Sequence, residues 1–140
     1  YQNFPKCTTV ENRMGYDEVV SCKASVKSMC EHHFVPFVGV AHVAYIPDKR
    51  VVGLSKINRV VDFFCRRPQI QERLTEQVYA ALCFILETQD VAVVISATHF
   101  CVQLRGVQDS QSTTTTSKLG GRFRSVPELR QEFLALTRKD

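Results

Sequence analysis

Cys30-Glu31-His32-His33 sets a thiol and an imidazole three residues apart, close enough for both to reach one ion if the chain turns there. Further on, Thr98-His99-Phe100-Cys101 lies within an apolar run that begins at Val91. Side chains of an extended strand alternate between faces, so His99 and Cys101 point one way while Phe100, Val102 and Leu104 point the other. Two cysteines and one histidine are soft or borderline donors suited to zinc, and they leave a fourth position open for water, as in a catalytic site. Spacing alone also allows a closed Cys-Cys-His-His site, or no metal site, and it does not say which histidine ligates. A catalytic site needs histidines left over to carry protons. His42, inside an alternating stretch, reads as a packed or surface residue.

The elements that must position these residues follow from periodicity. From Val20 to Lys27 apolar and polar residues alternate, which marks a half-buried strand running into Met29 and Cys30. Val35 to Ile46 is a second extended stretch, closed by Pro47-Asp48-Lys49, and Arg50 to Leu54 returns from that turn. Ser55 caps a helix whose stripe is Ile57, Val60, Val61 and Phe64, ended by Pro68. Ile70, Leu74, Val78, Ala81, Leu82 and Ile85 line a longer helix that runs to about Glu87. Val91 to Arg105 reads as a long strand, and the Ser112–Ser117 run, rich in β-branched threonine, favours another. Ser125 and Glu128 form a capping box for a last helix carrying Leu129, Phe133 and Leu136. Strands grouped on either side of a helical pair, without alternating βαβ units, predict an α+β fold: an antiparallel sheet with two helices on one face.

The chain has 140 residues, which suits one domain, 1–140. Hydrophobic residues make up 44% and charged residues 23%, with no apolar run long enough to span a bilayer, so disorder, coiled coil and membrane insertion are excluded. The 18 Lys and Arg against 14 Asp and Glu leave a net charge of +4, too small a bias for nucleic-acid binding but suited to a small polyanion if a few cations converge. The six cysteines read as reduced thiols in a cytoplasmic protein; Cys7, Cys22, Cys65 and Cys83 fit small buried hydrophobes.

Together, Ser28-Met29-Cys30-Glu31-His32-His33-Phe34, Gly53-Leu54-Ser55-Lys56-Ile57-Asn58-Arg59, Gln69-Ile70-Gln71-Glu72-Arg73-Leu74-Thr75, Thr98-His99-Phe100-Cys101 and Arg105-Gly106-Val107 resemble GTP cyclohydrolase I, the zinc enzyme that opens pterin and folate biosynthesis. These motifs occur in the family's order over nearly the whole chain. The resemblance implies a tunnelling fold whose sheets close into a barrel, in a homo-oligomer of two stacked pentamers. It implies zinc held by Cys30, His33 and Cys101, with His32 and His99 left for chemistry. The implied reaction is hydrolytic attack at C8 of GTP, release of that carbon as formate, and closure to 7,8-dihydroneopterin triphosphate. The family's helical segment before the first strand is expected to be missing.

In that scheme His99 donates a proton to N7; its alternative role is a fourth ligand. His32 and Ser55 serve the ribose and later proton transfers. Glu72, with Gln71 beside it, reads the guanine N1–H and amine, although pattern alone makes Glu72 a solvated helix residue. Ser55 and Lys56 at a helix N-terminus, with Arg59 and Arg105, meet the triphosphate. Glu31 either orients a neighbouring histidine or faces water, and Lys118 is given no role. Two rival readings are a related tunnelling-fold enzyme acting on a pterin or deazapurine, and a non-catalytic zinc-stabilised nucleotide-binding module.

Overall fold

The computed structural model describes residues 9–31, 36–100 and 113–138. The main sheet contains β2 (Val20–Cys30), β3 (Pro36–Tyr45), β5 (Pro68–Gln69), β6 (Val91–His99) and β7 (Thr113–Leu119), in the order β5-β2-β3-β6-β7. A second sheet pairs β1 (Val10–Glu11) with β4 (Arg50–Val51). The helices are α1 (Leu54–Cys65), α2 (Gln71–Leu86), a single turn α3 (Arg122–Ser125) and α4 (Pro127–Thr137). The α+β class, the antiparallel core of the sheet and the two central helices agree with the reading of the sequence.

Alternation decides what each face of the sheet buries. Ala24 and Val26 of β2, Phe37, Ala41, Val43 and Tyr45 of β3, and Val91, Val93, Ile95 and Ala97 of β6 pack with Ile57, Val60, Val61 and Phe64 of α1 and Leu74, Val78, Leu82 and Leu86 of α2. Both helices therefore lie on one face, each hiding an apolar stripe against a strand surface of period two. On the other face Ala44, Ile46, Ala92 and Val94 meet Phe123 and Phe133 from α3 and α4. None of the helices among the described residues is long and apolar enough to cross a membrane.

Several local expectations are corrected. Ser55 does not cap α1: Gly53 holds that position, and its carbonyl accepts from the Lys56 and Ile57 amides, which draws Leu54 into the helix and leaves Ser55 an exposed residue of the first turn. Nor does Ser125 cap the last helix. Its amide closes the α3 turn on Gly121, and Pro127, whose fixed φ suits the first helical position, starts α4 after Val126. The return after Pro47-Asp48-Lys49 is only β4, paired with β1; Val52 is held instead by the Tyr45 hydroxyl, which donates to its carbonyl at 3.0 Å and accepts from its amide at 3.1 Å. The sheet is also not wholly antiparallel, because β5 runs parallel to the end of β2.

Candidate functional site

β2 and β6 both pair antiparallel with β3, so they run parallel to one another and end at the same edge of the fold. Phe37 lies opposite Ser28 on one side and His99 on the other, which places Cys30 just past that row on β2 and His99 within it on β6. Both side chains belong to the face covered by α1 and α2, since Cys30 keeps the parity of Ala24 and Val26, and His99 that of Val93 and Ile95. Strands β2 and β6 thus bring a thiol and an imidazole to one end of one face.

α2 begins at the same place. β5 pairs Pro68 with Met29 and Gln69 with Cys30, delivering the chain to Gln71 and Glu72 at the first turn. Gln71 is buried, and its Oε1 lies 2.7 Å from His99 Nε2. The His99 ring stacks on Phe37, with centroids 4.5 Å apart and planes 8° from parallel. Burial lowers the His99 pKa from the ordinary histidine value, and the Glu72 carboxylate partly offsets this. Glu72 itself is exposed beside the histidine.

Glu31 neither faces water alone nor orients a described histidine: it takes an ion pair of 2.6 Å from Arg73, whose Nε donates to Gln69 Oε1 at 3.1 Å. Gln69 is fully buried and donates to the Phe64 carbonyl at 2.7 Å. The chain next to Cys30 is therefore tied to the first turn of α2, as His99 is through Gln71. Lys118 acts at a distance from this turn, pairing with Glu76 at 3.6 Å and lying over the Tyr79 ring.

The cations expected for phosphates lie elsewhere. Exposed Ser55 and half-buried Lys56 occupy the first turn of α1, which leaves the Tyr45 end of β3, and exposed Arg59 sits in the middle of the helix, whereas the far end of α1 reaches Ser28, whose Oγ donates to the Arg67 carbonyl at 3.3 Å. Ten residues of helix separate Ser55 from Cys65, about 15 Å at 1.5 Å per residue. Within one chain Cys30, His99, Gln71 and Glu72 come together, and Ser55 and Lys56 do not join them. His32, His33, Cys101 and Arg105 lie outside the described residues. A cavity of about 830 Å³, lined by residues including Cys83, Phe84 and Glu87, sits at the opposite end of α2 from Glu72.

Among the described residues no three His, Cys, Asp or Glu side chains group so as to hold a metal; of the expected zinc ligands only Cys30 is described, half-buried at the strand end, and its thiol is a donor that suits zinc. The sequence sets Gln71 beside Glu72 at the guanine edge, whereas its amide is buried and turned to His99; that bond, Thr75 and the Phe37 stack were not read from the sequence. Gln71 and Thr75 extend the buried Val78 and Leu82 stripe backwards along α2, so polar residues in an apolar row were the available signal. The Phe37 stack gave none, because it depends on strand register.

The sequence profile of the family described as GTP cyclohydrolase I matches residues 1–138. Curated relatives named GTP cyclohydrolase 1 include those of Shewanella loihica, 60% identical over 136 residues, and Aeromonas hydrophila, 59% identical over 136 residues. Each alignment covers 96% of this chain but only 64% and 62% of the respective relative, so the chain spans less than two thirds of their length.

Proposed function

Since the chain belongs to the GTP cyclohydrolase I family, with that family's tunnelling fold, we propose that it forms the catalytic core of an enzyme that hydrolyses GTP to 7,8-dihydroneopterin triphosphate and formate. The observation that carries this reading is the convergence of Cys30, His99 and Glu72 at one end of the sheet, each delivered by a different element. A purine C8 is a weak electrophile, so its hydration needs a nucleophile usable near neutral pH and a proton for N7.

Cys30, His33 and Cys101 would hold zinc. The chemistry zinc would supply there is a water whose pKa is lowered toward roughly 7. His99 gives the proton to N7; its partial burial makes the imidazolium a stronger acid than in water. Glu72 accepts from the guanine N1–H and exocyclic amine, a donor pair that adenine lacks. His32 and Ser55 serve the ribose and the later proton transfers.

Ser55, Lys56, Arg59 and Arg105 meet the triphosphate. The first turn of α1 supports that role, since it carries no acidic residue and offers backbone amides beside Lys56. The distance of that turn from Cys30 supports a homo-oligomer in which a neighbouring chain supplies these groups, in the form of two stacked pentamers acting in the cytoplasm. The test is to incubate the zinc-loaded protein with GTP and measure formate together with a fluorescent oxidised pterin. Release of both in equal amounts is expected; their absence from the zinc-loaded oligomer overturns the reading.

A further inference from the structure

Gln71 has one amide group and four polar neighbours. Its Nε2 lies 3.0 Å from the Ile95 carbonyl oxygen, 2.9 Å from the Thr114 carbonyl oxygen and 3.2 Å from Thr116 Oγ1. Backbone carbonyls only accept hydrogen bonds, so the nitrogen of the amide must face them and the orientation of the group is settled by chemistry. Oε1 is left pointing at His99 Nε2, 2.7 Å away. An amide oxygen cannot donate, and two lone pairs at that distance repel; the proton of this contact must therefore sit on the histidine nitrogen.

The surroundings hold the arrangement in place. Thr75 donates its hydroxyl to the Gln71 carbonyl at 3.0 Å and lies 2.7 Å from the Thr116 hydroxyl. Gln71 is 2% exposed, so water does not compete for its amide. The stack on Phe37 restricts rotation of the imidazole.

We propose that Gln71 is a positioning residue that fixes the orientation of the His99 ring and holds the neutral ring as the Nε2–H tautomer. Its consequence for turnover rests on the proposed GTP reaction; the tautomer does not. One side chain can do this because α2 packs on the neighbouring strands β6 and β7, and its first residue reaches a carbonyl of each.

The test uses the zinc-loaded full chain with isotope-labelled histidine and reads the chemical shifts of the ring nitrogens, His99 being assigned by its disappearance in His99→Asn. A protonated Nε2 and an unprotonated Nδ1 are expected in the neutral ring, and the opposite pattern overturns the proposal. In Gln71→Met, which has similar length and no acceptor, the tautomer preference should be lost and kcat should fall about 10–100-fold with KM for GTP little changed, as for other partners that orient a site histidine. Unaltered shifts and kcat in a folded, zinc-retaining variant would also overturn it. If Gln71→Met does not fold, the spectrum of the unsubstituted protein decides alone. A protein that shows the expected tautomer yet releases no formate defeats the GTP reading and leaves the role of Gln71 standing.

Discussion

His99 and Cys101 are two residues apart, yet their replacements should separate binding from chemistry. Cys101→Ala removes one of the proposed thiolate ligands and is expected to lose both zinc and turnover. His99→Ala is expected to keep zinc and lose roughly 10²–10⁴-fold in kcat, the usual worth of a general acid. Metal analysis of the two variants checks this directly: zinc lost from His99→Ala would make the histidine a ligand, and full zinc in Cys101→Ala would remove that cysteine from the set. The remaining thiols behave differently. Burial pushes the Cys65 and Cys22 thiols from an ordinary value near 9 up to about 11. Their protonated forms are favoured by folding, so this contribution is fully present below about pH 9 and is lost as pH rises toward 11. Urea unfolding should show stability falling across that window, and Cys65→Ala should flatten the fall; an unchanged slope would count against the burial argument. At this scale the sequence showed the donor types and spacings, which are local. The Gln71–His99 bond was hidden, because it joins residues 28 positions apart in the chain.

Among the elements, those with a long period were legible and those made by a few backbone bonds were not. The alternation in Val20–Lys27 continues as β2 to Cys30, and the Ile70-Leu74-Val78-Leu82 stripe becomes α2, ended at Glu87. Residue chemistry misplaced two helix starts, at Ser55 and Ser125, because Gly53 and Val126 take those positions through backbone geometry without a side-chain bond. β5 is two residues long and has no period, yet it positions Glu72. Close approach of backbones is similarly silent in a sequence. At Gly39 a Cβ would run into the Ser96 carbonyl oxygen and lie 2.6 Å from Ala97 Cα, so β3 and β6 can pack there only if position 39 has no side chain. Gly39→Ala should therefore cost about 1–3 kcal/mol through overpacking. The fall should appear as a lower urea midpoint with an unchanged slope; a midpoint equal to that of the unsubstituted protein would mean that the strands separate at no cost.

Across the whole molecule the distribution of groups predicts that one chain does not make a complete site. Cys30, His99 and Glu72 meet at one end of the sheet, while Ser55 and Lys56 lie in the first turn of α1, about two to three helical turns from the end that reaches Ser28. The sheet also ends on β7, which pairs with no strand but β6 among the described residues and whose Thr113, Thr114 and Thr115 are exposed. Such an edge invites pairing with another chain, and closing sheets into a barrel removes it. A closed ring satisfies both conditions at once: it joins sheet edges, and it carries the α1 start of one chain toward the zinc end of another. Glu72 stands beside His99 in the same chain, so Cys101→Ala and Glu72→Ala would damage the same half of a site and should not restore one another. Cys101→Ala and Lys56→Ala damage different halves. Mixing these two inactive proteins under conditions that allow subunit exchange should return activity, up to about one quarter of sites in a random two-chain mixture. The Cys101→Ala and Glu72→Ala mixture is the control and should stay inactive. Recovery in the control alone would move Glu72 to the neighbour, and a fully active monomer by light scattering at assay concentration would remove the shared site altogether.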